Sequence, residues 1–260
     1  MDQKNEPIGN FADWERQAAP RSPSRWRRGR GAYELARVWC GANGLVMPGA
    51  LGQLLDSREE TRSLVIDSVW PGHPIRFDRR QGQPRSADLA ILGRTAAGPV
   101  AVLVEARAEE SFGATVAEAF VDALERFTET PRSQGIGRIE DLSRALFASR
   151  DEDDAPRVGV LRYQLLMCAA GALALAEGHG AGCAVLVVHG LYSTLDDQHP
   201  SARHAADLSA FLHRLGGVPV DADTFSSPAL FGPYTVPGVP LFDGPRQILV
   251  GMIATSRKDS

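Results

Sequence analysis

The run Val100-Ala-Val-Leu-Val-Glu-Ala-Arg107 constrains the chain most: five consecutive apolar residues end on a glutamate, and an arginine follows two places later. An apolar run of that length bounded by Gly98-Pro99 reads as a buried β-strand. Upstream, Ser86-Ala-Asp-Leu-Ala-Ile-Leu-Gly93 reads as a second strand, joined to the first by the short Thr-Ala-Ala-Gly-Pro connection. Side chains alternate faces along a strand, so Glu105, Arg107 and Glu109 share one side, while Val104, Ala106 and Ala108 take the other. A carboxylate emerging from a buried strand must reach water, pair with a cation or hold a metal, because burying it alone is costly. The plainest resolution is an ion pair from Glu105 to Arg107 or Arg94.

Asp88 on the preceding strand adds a second acid to this row. Asp, a variable hairpin, then Glu-x-Arg resembles the signature of the PD-(D/E)xK, or restriction-endonuclease-like, superfamily. Asp88 stands at its first position, Glu105 at its second, and Arg107 where that family carries lysine. The segment from Arg162 to His189, with the Glu-Ala-Arg segment, also resembles a poorly characterised bacterial family assigned to that superfamily. The resemblance covers about half of the chain. It implies an αβββαβ core around a central mixed sheet, with extra helices and a long C-terminal loop. It further implies one Mg²⁺ or Mn²⁺ held by Asp88, Glu105 and the Ala106 carbonyl, with Gln164 over the site.

The expected activity is divalent-metal-dependent hydrolysis of nucleic acid, DNA rather than RNA, by an endonuclease or exonuclease. A hard cation needs few protein oxygens because it keeps its waters, one of which it acidifies. Arginine cannot replace lysine as a base, since guanidinium stays protonated, but Arg107 can still stabilise the pentavalent phosphorus, so weakened hydrolysis is expected. Two alternatives follow: a catalytically inactive nuclease fold that binds nucleic acid or a protein partner, and a structural protein in which Asp88, Glu105 and Arg107 form an ion-pair cluster.

The rest of the chain sets the frame. At 260 residues it is long enough for one large domain with its own core. A net charge of -4 argues against a surface that coats nucleic acid throughout, leaving room for a local basic groove. The three cysteines, Cys40, Cys168 and Cys183, have no metal-binding spacing and read as reduced core thiols. The N-terminus has no apolar signal core and the chain no membrane-length apolar run, so a cytoplasmic protein without a membrane partner is expected.

Residues 1–31, with an arginine-rich second half and Trp26 available for stacking, read as a disordered basic arm; 32–254 form the domain, and 255–260 a polar tail. Helices are expected at 32–43, 48–57, in the stretch after Gly113, at 139–147, at 157–177 and at 202–215, and strands at 64–70, 183–189 and 247–254. In the helix after Gly113, Val116, Phe120, Leu124 and Phe127 form an apolar stripe expected to face the core. Four arginines between 76 and 85 lead into Asp88 and are either candidates for holding a phosphate backbone or the solvated residues of a hairpin loop. Glu34 is either a helix-borne acid near the metal or a solvent-facing residue of a first turn. His189 reads as a satisfied strand-end histidine, and 178–182 as a helix C-cap turn, since phosphate loops follow a strand. The acidic run 151–154 reads as a solvated turn and 219–245 as a long loop.

Overall fold

The computed structural model describes residues 8–18, 24, 26–42, 44–80, 84–147, 155–193, 200–216 and 218–256. In chain order the elements are α1 (Phe11–Ala18), α2 (Gly31–Trp39), β1 (Cys40–Gly41), β2 (Gly44–Leu45), α3 (Gly49–Asp56), β3 (Val65–Pro71), β4 (Pro74–Ile75), β5 (Arg85–Ser86), β6 (Leu89–Thr95) and β7 (Gly98–Arg107). They continue with α4 (Val116–Glu129), α5 (Gly135–Leu146), a 3-10 turn (Val158–Val160), α6 (Tyr163–Gly178), β8 (Ala184–Tyr192), α7 (Pro200–Gly216), a second 3-10 turn (Ala222–Ser226), β9 (Ala229–Val236) and β10 (Arg246–Ser256).

Six strands form one mixed sheet in the order β3-β6-β7-β8-β10-β9. Strands β3, β6 and β7 run as an antiparallel meander, β8 joins parallel to β7, β10 parallel to β8, and β9 antiparallel to β10. Strands β7 and β8 are apolar on both faces because helices cover both sides. One face carries Leu103, Leu186 and Val250 under the nearly all-apolar α6 and under α7; the other carries Val102, Val104 and Val187 under α2 and α3.

Several expectations change on contact with the fold. Residues 11–18 of the supposed disordered arm form α1, because Trp14 is buried between α1, α2 and the sheet. Trp26 packs on Phe11 and Tyr33 and donates its Nε1–H to Glu15 Oε1 at 2.6 Å. The rest of the arm, 1–7, 19–23 and 25, lies outside the described residues, as do the acidic run 151–154 and 257–260 of the tail. Within 219–245 the chain is more than a loop: β9 pairs along β10 and closes that edge of the sheet. Thr255, placed in the tail by its polarity, is the penultimate residue of β10, held by the parallel ladder to β8. The helix expected from 157 begins only at Tyr163, because residues 157–161 make the 3-10 turn against α4. The helix C-cap turn at 178–182 is present, with Gly180 at φ +68.

Helix α4 starts where Thr115 accepts from the Glu118 amide at 3.2 Å and Glu118 Oε2 accepts from the Thr115 amide at 2.7 Å, a reciprocal capping box. Thr115→Ala removes one of the two bonds, and a loss of about 1 kcal/mol in urea unfolding is expected. Of the expected apolar stripe on α4 only Val116 faces the core, together with Ala119 and Ala123, while Phe120, Leu124 and Phe127 are largely exposed.

Candidate functional site

The carboxyl end of β7 delivers Glu105 and Arg107 to the face of the sheet covered by α6, two residues beyond Leu103 of that core. Both are buried, Glu105 to 2% exposure and Arg107 to 7%. Arg107 Nη2 donates to Glu105 Oε1 at 2.7 Å, as expected for residues two apart on one strand. The first turn of α6 adds Gln164, whose Nε2 donates to the same oxygen at 2.6 Å.

The second cation is Arg85, from the two-stranded arch that β5 makes with β4 just before β6. Its Nη2 donates to Glu105 Oε2 at 2.7 Å and lies 3.0 Å from the Cys168 sulfur on α6. Asp88, the residue before β6, is partly covered, and its Oδ2 accepts from the Ala106 amide at 2.8 Å. The Ala106 carbonyl accepts from Arg107 Nη1 at 2.7 Å. All five residues expected at the site, Asp88, Glu105, Ala106, Arg107 and Gln164, therefore meet, with Arg85 in addition. Arg85, by its sequence context a candidate for phosphate, instead binds Glu105. Its nearness to Asp88 along the chain was the available signal, but twenty residues separate it from Glu105.

Electrostatics follow from this packing. Burial alone raises the Glu105 pKa, but the Arg85 and Arg107 guanidiniums and the hydrogen bonds from Arg85 and Gln164 outweigh it and hold the carboxyl ionised. Asp88 moves the other way, pushed up to about 7 by burial and by the Glu105 charge against the opposing pull of Arg107. Burial likewise pushes the Cys168 thiol up, which keeps it protonated and inert. The arrangement sets two guanidiniums, Arg85 and Arg107, against the buried Glu105 carboxylate, with the partly covered Asp88 beside them. Arg107 also lies over the Phe112 ring, 5.0 Å from its centroid.

Other predicted participants lie elsewhere. Arg94 pairs with Asp67 at the far end of the hairpin. Among the arginines at 76–85, Arg80 pairs with Asp141, and Arg76 Nη1 donates to the Arg80 carbonyl at 2.9 Å. Glu34 is buried; its Oε1 accepts from the Gly29 amide at 2.8 Å, so it ties down the entry to α2. His189 lies inside β8, where Nε2 meets Thr255 Oγ1 at 3.0 Å.

The approach to the site carries charges of both signs. Gly31 opens α2 directly against β7: a Cβ there would lie 2.3 Å from the Ala106 oxygen, so only glycine allows this contact. The Gly31 amide donates to Glu110 Oε1 at 2.7 Å. Arg27, Arg28 and Arg30 precede it in the chain, and Arg27 and Arg28 are exposed. Arg203 of α7 comes to the same end, where Nη2 reaches the Glu109 carbonyl at 3.4 Å.

Among the described residues, no group of three or more His, Cys, Asp or Glu side chains gathers to hold a metal, and no helix is long and apolar enough to cross a membrane. A family profile described as a domain of unknown function, DUF6946, matches residues 7–244. No curated protein and no solved structure matches the chain.

Proposed function

For this chain, which belongs to the DUF6946 family, we propose a restriction-endonuclease-like fold that binds the phosphodiester backbone of nucleic acid without hydrolysing it. The sequence of a helix, an antiparallel three-strand meander, a further helix and a parallel fourth strand supports the αβββαβ reading through α2, β3, β6, β7, α6 and β8. The observation that carries the proposal is the closure of Glu105: one oxygen accepts from Arg107 and Gln164, the other from Arg85.

A divalent cation would take positions on Glu105 and on the Ala106 carbonyl that guanidinium groups already hold. It would also bring two more positive charges to a cluster in which Arg85 and Arg107 already face Glu105 and the Asp88 pKa is raised to about 7. The residues therefore do not fit Mg²⁺ or Mn²⁺, and Arg107 cannot act as the base that lysine would supply.

Binding falls instead to the carboxyl ends of β7 and β8, where ligands of open α/β sheets collect. There Arg27, Arg28 and Arg30, which lie within four residues of Gly31, would supply guanidinium forks suited to phosphate oxygens. Fluorescence anisotropy with a labelled DNA duplex tests this. Three phosphate contacts predict affinity falling about 40-fold between roughly 50 and 200 mM salt. The Arg27→Glu, Arg28→Glu double variant should bind at least about tenfold more weakly with an unchanged unfolding midpoint. Absence of binding at low salt overturns the proposal. So does Mn²⁺-dependent strand cleavage that Glu105→Ala abolishes, which would restore the hydrolase. A labelled RNA of the same sequence in the same assay separates DNA from RNA as the preferred backbone.

A further inference from the structure

Helix α4 is built inside out. Its core-facing residues are small, Val116, Ala119 and Ala123, whereas its large apolar residues stand in solvent: Phe120 is 42% exposed, Val121 53%, Leu124 46% and Phe127 42%. At 100° per residue Ala117, Phe120, Val121, Leu124 and Phe127 share one sector, and 117, 120, 124 and 127 fall at the alternating spacings of three and four that form a helix-pairing seam. The 3-10 turn packed beside α4 adds Val160 at 62% exposure. An exposed apolar stripe of this size on one helix marks a binding surface.

The charges around the stripe select its occupant. Asp122, Glu125 and Glu129 are exposed and run as a row along one edge. The other edge is closed by α5, whose Gly135 packs on Ala123. A second copy paired antiparallel across a two-fold axis would set acidic row against acidic row, and an anionic lipid surface would meet the same repulsion. We infer that this face docks an amphipathic helix of another protein, with an apolar stripe over Phe120, Leu124 and Phe127 and lysines or arginines along the edge that meets Asp122, Glu125 and Glu129.

The test uses the full chain and two designed helical peptides with the same leucine stripe, one edged with lysine and one with glutamate. Fluorescence anisotropy should show the lysine-edged peptide binding at least tenfold more tightly than the glutamate-edged one. Leu124→Glu should remove that binding without moving the unfolding midpoint, since the side chain lies outside the core. Asp122→Lys, Glu125→Lys and Glu129→Lys together should reverse the peptide preference. Equal binding to wild type and Leu124→Glu, or an unreversed preference, overturns the inference. Sedimentation of a dimer that Leu124→Glu dissociates would assign the face to a second copy, and flotation with anionic vesicles lost in Leu124→Glu would assign it to lipid; either result overturns it as well.

Discussion

Glu105→Ala is expected to cost about 3–5 kcal/mol of folding free energy in urea unfolding, the largest effect of any single substitution at the site. The substitution leaves Arg85 and Arg107 facing each other across a space that water enters poorly. Their side chains are 12% and 8% exposed, and the Nε of each is already without a partner. The remaining acid, Asp88, would have to balance both. Glu105→Gln preserves the shape and some of the hydrogen bonds but not the charge, so its cost should be smaller, and it serves as the reference if the alanine variant fails to fold. Adding Arg107→Met to Glu105→Gln should recover part of the loss, since an apolar replacement for a whole buried pair is often tolerated. A cost below about 1 kcal/mol for Glu105→Ala would place the cluster with ordinary surface ion pairs and remove the argument for a closed site.

Acid should unfold the chain over a defined range. His189 and His204 are both held down to about 4, burial being the chief cause in each, and unfolded histidine titrates near 6.5. In His204 burial and the charges of Arg107, Arg203 and Arg162 outweigh the Glu110 carbonyl bond, which by itself favours the imidazolium; Nδ1 of the neutral ring meets the Tyr192 hydroxyl at 2.7 Å, and Nε2 meets the Glu110 carbonyl at 2.8 Å. A carbonyl only accepts, so Nε2 carries the proton and Nδ1 accepts from the tyrosine. Between pH 6.5 and 4 the unfolded chain thus binds two protons that the folded chain refuses, and stability is lost as pH falls through that range. Asp88 opposes this: its pKa is raised from 3.8 to about 7, so below 7 the folded chain holds a proton that the unfolded one has lost. The net difference is about one proton, or roughly 3 kcal/mol lost between pH 6.5 and 4. Asp88→Asn removes the opposing group, so its stability should fall about twice as steeply on acidification. A slope equal to wild type would mean that Asp88 titrates at an ordinary carboxylate value.

The strands around the site were legible because their signal is local. Val100-Ala-Val-Leu-Val104 and the alanine and leucine run after Asp88 carry their burial in composition, and a period of two sends Glu105 and Arg107 to one side. Gln164 was legible as a polar group on an otherwise apolar helix. Arg85 was misread because a basic residue in a polar stretch looks the same whether it meets phosphate or a buried carboxylate, and only the β4–β5 arch decides. The stripe on α4 was misread because periodicity marks an apolar face without saying what that face meets. Small residues on the opposite face let α4 approach α5 closely and left the phenylalanines outside.

Local order along the chain was enough to determine an α/β protein in which Asp88, Glu105, Arg107 and Gln164 belong to neighbouring elements, because strand alternation and helix apolarity act over a few residues. Tertiary structure alone decided that Arg85 closes the acid pair, that α1 and β9 join the body of the fold, and that α4 faces outward. Each of these rests on groups far apart in sequence, whose meeting depends on how buried charge and apolar surface are shared across the whole molecule.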